Sequence, residues 1–336
     1  MNIKKYIYII GTLDTKYEII KYINDSLRKV GFSIKIIDIS LKETIKDKMY
    51  LDTDIYISPN DILKMINLNI KDLANKKRHE AIELMKKALQ IYFEKYVIPN
   101  NDILGAIGIG GADGALLAAE ALKLIDIGIP KILISPIFQG NTKFGIFTGT
   151  KDIFMLHSVL DLANMNKIVK QILDNAIFSL IGMILNSAIN KIDIFNTKII
   201  AITMYGNTTP GVMIAKKYLE EYGYEVAIFH PNGTGGAAME EMALKGYFTG
   251  ILDYTPHEIV DYLFDGAHAA PNRLDVITKI KIPTVIIPGC LDFILLEYDK
   301  YINNKDKYIN RKVFRFNPIY VEIKITPEEA DIIAKY

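Results

Sequence analysis

"IGIGGADGALLAAE", residues 107–120, runs from an apolar strand through a glycine loop into an alanine-rich helix. "IFHPNGTGGAAMEE", residues 228–241, repeats that plan in the second half of the chain. A strand that ends in glycines and feeds a helix is the building block of a parallel sheet, because the return to a neighbouring parallel strand needs a crossover. Working outward, "YIYII" at 6–10 ends at Gly11 and precedes a helical stretch, and 31–40, 103–109 and 131–135 read as further strands. The alternation restarts at 198 with "KIIAITMYG", a helix over 209–222, "YEVAIFH", a helix over 235–245, and strands at 248–252 and 284–288.

This pattern predicts an α/β protein of two Rossmann-like, doubly wound domains with a ligand cleft between them. The first spans 1–190 and carries a lysine-rich, mostly helical insertion at 41–102, where Ile82, Met85, Leu89, Tyr92 and Tyr96 share one helix face. The second spans 196–336, and the polar stretch 186–197 separates the two.

Composition narrows the function. The 336 residues are 50% hydrophobic and 24% charged, enough for two cores. A net charge of +1, with few arginines among 40 basic residues, argues against a nucleic-acid surface or a polybasic membrane patch. The single cysteine, Cys290, excludes an intramolecular disulfide framework and a multi-cysteine zinc site, and reads as a buried, inert thiol. The apolar run before Gly11 is too short for a secretory signal, and "AIFSLIGMIL" at 176–185 is half a membrane span. The expectation is a cytoplasmic protein with neither nucleic-acid nor membrane partners.

Four small-residue loops fall where strands end, the crevice in which open α/β sheets bind ligands. In "GTLDTKYE" (11–18), Thr15 with Glu18 forms a capping box, while Thr12, Thr15 and Lys16 also suit an anion. "GIGGADG" (108–114) allows close backbone approach, either for packing or for a phosphate, although Asp113 replaces the third glycine of a dinucleotide fingerprint. "MYGNTTPGV" (204–212) reads as an N-cap, Thr209, before Pro210, with extra polar groups from Gly206, Asn207 and Thr208. In the 228–241 stretch, Thr234 caps the helix while Gly235 and Gly236 leave its first N–H groups uncovered beside His230. Together these loops suit an elongated anion such as a nucleotide. Elsewhere the signals are structural: Thr255, Pro256 and Glu258 read as a cap that exposes His257, His79 as solvated, and His157 with Asp161 as too few ligands for a metal site.

The motifs "GTLDTKYE", "GIGGADG", "FTGTKDIFMLHSVLDLANMN", "TMYGNTTPG", "FHPNGTGGAAMEEM", "GILDYTPHEIVDYLFDGA" and "RLD", in this order, resemble the ATP-binding family named for the tomato mosaic virus resistance protein. The resemblance implies two Rossmann-like subdomains, a homodimer and ATP bound between the subdomains, with Mg²⁺ on Asp14 or Asp152, and it implies no established reaction. The matching positions are Thr12, Asp14, Thr15, Lys16, Gly110, Gly111, Gly114, Gly149, Thr150 and Asp152, continuing into Asp161 and Asn166. In the second half they are Thr203, Gly206, Thr208, Thr209, His230, Gly233, Thr234, Gly235, Gly236 and Glu240. Tyr17, Pro231, Asn232 and Ala237 depart from the family pattern, and against it the second domain is shortened at its C-terminus. Three functions stay open: a nucleotide-binding protein, an enzyme on a phosphorylated or carboxylated metabolite with His230 as general base, and a scaffold that closes on a metabolite without chemistry.

Overall fold

Strand β1 (Tyr6–Gly11) sends Ile7 and Ile9 to one face and Tyr8 and Ile10 to the other, and all four side chains are buried. A strand covered on both faces belongs inside a parallel sheet. The computed structural model, which describes residues 4–43, 51–138, 145–189 and 196–336, builds that sheet around it. After β1 come α1 (Leu13–Lys29), β2 (Ile34–Asp38), β3 (Ile55–Ile57), α2 (Pro59–Leu63), α3 (Ile70–Ala74) and α4 (Arg78–Tyr92). Then follow β4 (Ile103–Ile109), α5 (Ala112–Lys123), β5 (Lys131–Ser135), α6 (Gly145–Thr148), β6 (Phe154–His157) and α7 (Lys167–Ile189).

The strands are parallel in the order β3-β2-β1-β4-β5-β6. This is the order of dinucleotide-binding sheets, in which the chain reverses its direction of travel between β1 and β4. Helices α1 and α7 cover the face bearing Ile7, Ile9, Ile107 and Ile109, and α4 and α5 cover the face bearing Tyr8, Ile10 and Ala106. Helix α7 is, among the described residues, the one helix long and apolar enough to cross a membrane by length and composition. Its buried stripe of Val169, Leu173, Ala176, Ile177, Leu180 and Ile184 has the spacing of a helix packed on a sheet.

The insertion at 41–102 is not wholly helical: it contributes the edge strand β3, whose three residues are too short to show a period. Strand β6 likewise adds an edge that the sequence reading left out.

The second unit runs β7 (Ile199–Thr203), α8 (Thr209–Glu221), β8 (Glu225–Phe229), α9 (Gly235–Leu244), β9 (Gly250–Asp253), α10 (Glu258–Leu263) and β10 (Thr284–Ile286). Its parallel sheet has the order β10-β9-β7-β8, a four-strand version of the other common doubly wound order. The rest departs from expectation. Strands β11 (Phe293–Glu297), β12 (Val313–Arg315) and β13 (Tyr320–Lys324) form a separate antiparallel sheet, β11-β13-β12, with α11 (Tyr298–Asn303) and α12 (Pro327–Lys335) beside it in sequence. The cause is period-two burial: Ile294, Leu296, Val321 and Ile323 face one small core. The chain divides into units 1–191 and 192–336, and half of the polar stretch expected to separate the domains, residues 190–195, lies outside the described residues.

The glycine loop after β4 supplies a test. A Cβ on Gly110 would sit 2.1 Å from the Ala115 amide nitrogen, whereas one on Gly111 would meet nothing within 4 Å. Gly110→Ala should therefore destabilise by about 1–3 kcal/mol, because backbone cannot yield as a side chain does. Gly111→Ala should lose under about 1 kcal/mol. Equal urea midpoints for the two variants would disprove this close approach of α5 to β4.

Candidate functional site

At the carboxyl ends of β1 and β4 the first two loops meet: a Cβ on Gly114 would touch the Thr12 side chain at 3.5 Å. Between them opens a cavity of about 530 Å³ lined by Thr12, Asp14, Thr15, Lys16, Gly111 and Gly114, with Asp113 and Arg78 at its edge. The helical insertion closes it with Leu41, Lys42, Leu73, Ala74, Lys76 and Ala81, joined by Leu117 of α5. The lining thus has an apolar lobe (Leu41, Leu73, Ala74, Ala81, Leu117) and a polar one in which four cations, Lys16, Lys42, Lys76 and Arg78, outnumber the carboxylates Asp14 and Asp113.

Two helix N-termini reach this point, and they differ. The first N–H groups of α1 are taken internally: Leu13 N–H donates to Asp38 (3.2 Å) and Asp14 N–H to Ser40 Oγ (3.1 Å). Tyr56 also donates to Asp38, so the carboxylate that ends β2 is bound within the fold. Helix α5 instead begins after Gly111, which has no side chain to cap it. Its first turn keeps donors and partial positive charge for an anion. The expected Thr15–Glu18 capping box does not form: α1 starts at Leu13, its geometry breaks at Lys16, and Thr15 Oγ1 lies 2.9 Å from Thr12 Oγ1.

Lys16 is buried, and its ammonium donates to the exposed Asp161 at 3.0 Å, a partner that a ligand anion can displace. Asp14 keeps one buried carboxylate oxygen without a partner, and burial, followed by Asp38, raises its pKa from the ordinary value. That orphan oxygen fits a hydroxyl donor or a cation. No group of three or more metal-ligating side chains exists among the described residues, so Mg²⁺ here would rest on Asp14 and the ligand's own oxygens. Asp152 does not fit that role. It pairs with Lys131 (2.6 Å) and accepts from Gly128 N–H, at the amino end of β5, the edge opposite the cavity. Gly149 packs on Lys123, the last residue of α5, at that same edge, so Gly149, Thr150 and Asp152 belong to a different place from the cavity loops.

In the second unit the candidate residues serve the fold. Arg273 is buried and ringed by three carboxylates: Glu240, Asp253 (2.7 Å) and Glu258 (2.8 Å). Glu258 Oε1 in turn accepts the N–H groups of Gly233 (2.8 Å) and Gly236 (3.3 Å), and Asn232 accepts that of Gly235 (3.3 Å). The first turn of α9 is therefore covered, contrary to expectation, by the chain's own carboxylate. Thr234 contacts Asn232 rather than capping the helix. The glycines are needed for space: a Cβ at Gly235 would lie 1.8 Å from the His230 carbonyl oxygen, and at Gly236 2.0 Å from Glu258. Thr203 bonds Asp253 (2.7 Å), and Thr208 bonds Thr255 (2.8 Å). Helix α8 starts at Thr209, one residue early, and Thr209 donates back to the Tyr205 carbonyl. A Cβ at Gly206 would meet nothing.

His230 is exposed and stacks on Tyr205, with Nδ1 3.1 Å from the Met204 carbonyl oxygen. His257, expected to be exposed, is buried: its Nδ1 donates to the Cys290 carbonyl (2.7 Å) and its Nε2 faces Asp261 at 3.4 Å. Burial pushes the Cys290 thiol up to about 12, which makes it inert at neutral pH.

A model described as the N-terminal domain of the uncharacterised protein family UPF0261 matches residues 5–188, and its C-terminal counterpart matches residues 197–336. The chain belongs to the UPF0261 family. It is 35% identical over 333 residues to a UPF0261 protein of Clostridium tetani, covering 98% of this chain and 79% of that one. A UPF0261 protein of Rhizobium meliloti is 28% identical over 334 residues, with 99% and 79% covered. The ToMV resistance protein Tm-1 of Solanum lycopersicum is 33% identical over 308 residues, which are 86% of this chain and 40% of the tomato protein.

In this UPF0261 chain, the sequence reading missed Lys42, Leu73, Lys76 and Arg78, because the segment that carries them reads only as a lysine-rich, mostly helical insertion with no loop motif. It also missed the pairing of Glu258 with Arg273, whose signal was the scarcity of arginine. Arg273→Leu should cost about 3–5 kcal/mol in urea unfolding at neutral pH, since it strands three buried carboxylates. Burial, opposed chiefly by Arg273, raises the Glu258 pKa above its ordinary 4.5. The folded state then holds a proton more tightly than the unfolded one, so this residue's contribution to stability falls as pH rises above that value. Glu258→Gln should flatten that fall, and unchanged pH dependence of unfolding would refute the assignment.

Proposed function

We propose that this protein binds ATP or a closely related nucleotide in the cavity of its first unit. The supporting observation is the convergence, at the switch point of the sheet, of an uncapped helix N-terminus with Lys16 in the polar lobe and an apolar lobe beside it. Phosphates would lie on the first turn of α5, Lys16 and Arg78, the ribose or a Mg²⁺ ion on Asp14, and the base among Leu41, Leu73 and Leu117. The family resemblance supports ATP over other anions and a homodimer as the assembly.

His230 as general base on a small metabolite is the second reading. Nδ1 faces a carbonyl and so carries the proton, which leaves Nε2 as the basic nitrogen. His230→Asn abolishing turnover, with ATP affinity unchanged, would favour it.

Calorimetry on Gly111→Asp tests the first reading. Gly111 has extended backbone angles (φ −72°, ψ −154°) and open space around its Cα, so aspartate fits and caps α5. Stability should hold or rise by up to about 1 kcal/mol. ATP affinity should fall at least about tenfold, because a carboxylate then faces the phosphates. Lys16→Ala should weaken ATP similarly. Wild-type affinity in folded Gly111→Asp would end this reading. Light scattering should give a mass twice 38.0 kDa, and a monomer mass at micromolar concentration would remove the homodimer.

A further inference from the structure

A second cavity, of about 460 Å³, lies within the second unit between the loop after β7 (Asn207, Thr208), the turn before β11 (Cys290, Asp292) with the first β11 residue, Phe293, and the β12–β13 pair. The strand register decides which side chains face it. Leu295, Glu322 and Phe314 stand in one cross-strand row, and Lys324 is paired with Phe293 on the same face. The opposite face buries Ile294, Val321 and Ile323 in its own core. Glu322 is therefore a half-buried carboxylate set between a buried leucine and an aromatic ring, with Asn207 Nδ2, at 3.4 Å, as its one side-chain partner among the described residues. Burial raises its pKa from the ordinary value.

A carboxylate placed on an apolar row is costly unless a cation meets it. Among the described residues no neighbouring cation makes an ion pair with it: His257 favours its charged form only through space and is itself bonded to the Cys290 carbonyl and turned toward Asp261. Lys324 is bound to Asp292 at 2.7 Å, and Lys312 lines the cavity with no ion pair among the described residues.

We propose that this cavity binds a small apolar α-amino acid: its ammonium group on Glu322, its carboxylate on Lys312, and its side chain between Phe314 and Phe293. With Asp292 and Lys324 paired to each other, the wall leaves one open carboxylate, Glu322, and one open ammonium, Lys312, beside Phe293 and Phe314, and these match a zwitterion better than a simple amine or acid, each of which leaves one wall charge unmet. The volume lies within the usual range for small-molecule pockets.

The test is calorimetric titration of the full chain with L-leucine, L-methionine and L-phenylalanine, and with phenethylamine and 3-phenylpropionate, which lack the carboxylate and the ammonium respectively. At least one of the amino acids should bind with Kd below about 1 mM, and the two fragments at least about tenfold more weakly. Glu322→Gln should reduce amino-acid affinity at least about tenfold. Lys312→Ala, a change on an exposed side chain, should weaken the amino acid while leaving phenethylamine unaffected, and it serves as the test should Glu322→Gln fold poorly. Absence of binding by all three amino acids at about 5 mM, equal affinity for the fragments, or wild-type affinity in the folded Glu322→Gln or Lys312→Ala protein would overturn the proposal.

Discussion

Strands β1 and β4 are neighbours, yet the helices that follow them leave on opposite faces of the sheet: α1 joins the core of Ile7 and Ile9, and α5 that of Tyr8 and Ile10. Two adjacent parallel strands whose continuations diverge cannot close the space above their carboxyl ends. The first-unit cavity follows from that constraint, and the insertion then roofs the gap. Its lysines and Arg78 supply positive charge, and its leucines supply an apolar wall. The site's chemistry thus comes from two sources: the strand ends fix hydroxyls and backbone donors, and the insertion tunes charge and shape.

The second unit meets the same topological gap, between β7 and β9, and fills it from within. The buried guanidinium of Arg273 gathers Glu240, Asp253 and Glu258, and Glu258 then accepts the N–H groups that a bound anion would otherwise take. A helix N-terminus attracts negative charge whatever its source. Two similar strand–glycine–helix loops therefore end in opposite states. Around Gly111 there is open space, and beside Gly236 there is a carboxylate.

Both outcomes bear on how glycine-rich loops are read. Gly110, Gly235 and Gly236 are needed because backbone or buried side chains occupy the space of a Cβ, whereas Gly111 has no such neighbour. A glycine without a steric reason, at the start of an uncapped helix and on the wall of a cavity, is the one that suggests a ligand.

The sequence by itself determined the α/β class, most of the central strands and the meeting of loops at strand ends, because burial on both faces writes itself as short apolar runs bounded by glycine. It also marked Thr12, Asp14, Thr15, Lys16, Gly111 and Gly114, which line one cavity. It did not show β3, whose three residues carry no period, or the antiparallel sheet, whose register depends on pairing across some 30 residues. Only the tertiary structure decided which loop is open and which is filled. That depends on whether a distant carboxylate, Glu258 or Asp38, reaches a helix N-terminus, and local sequence does not encode contacts made through space.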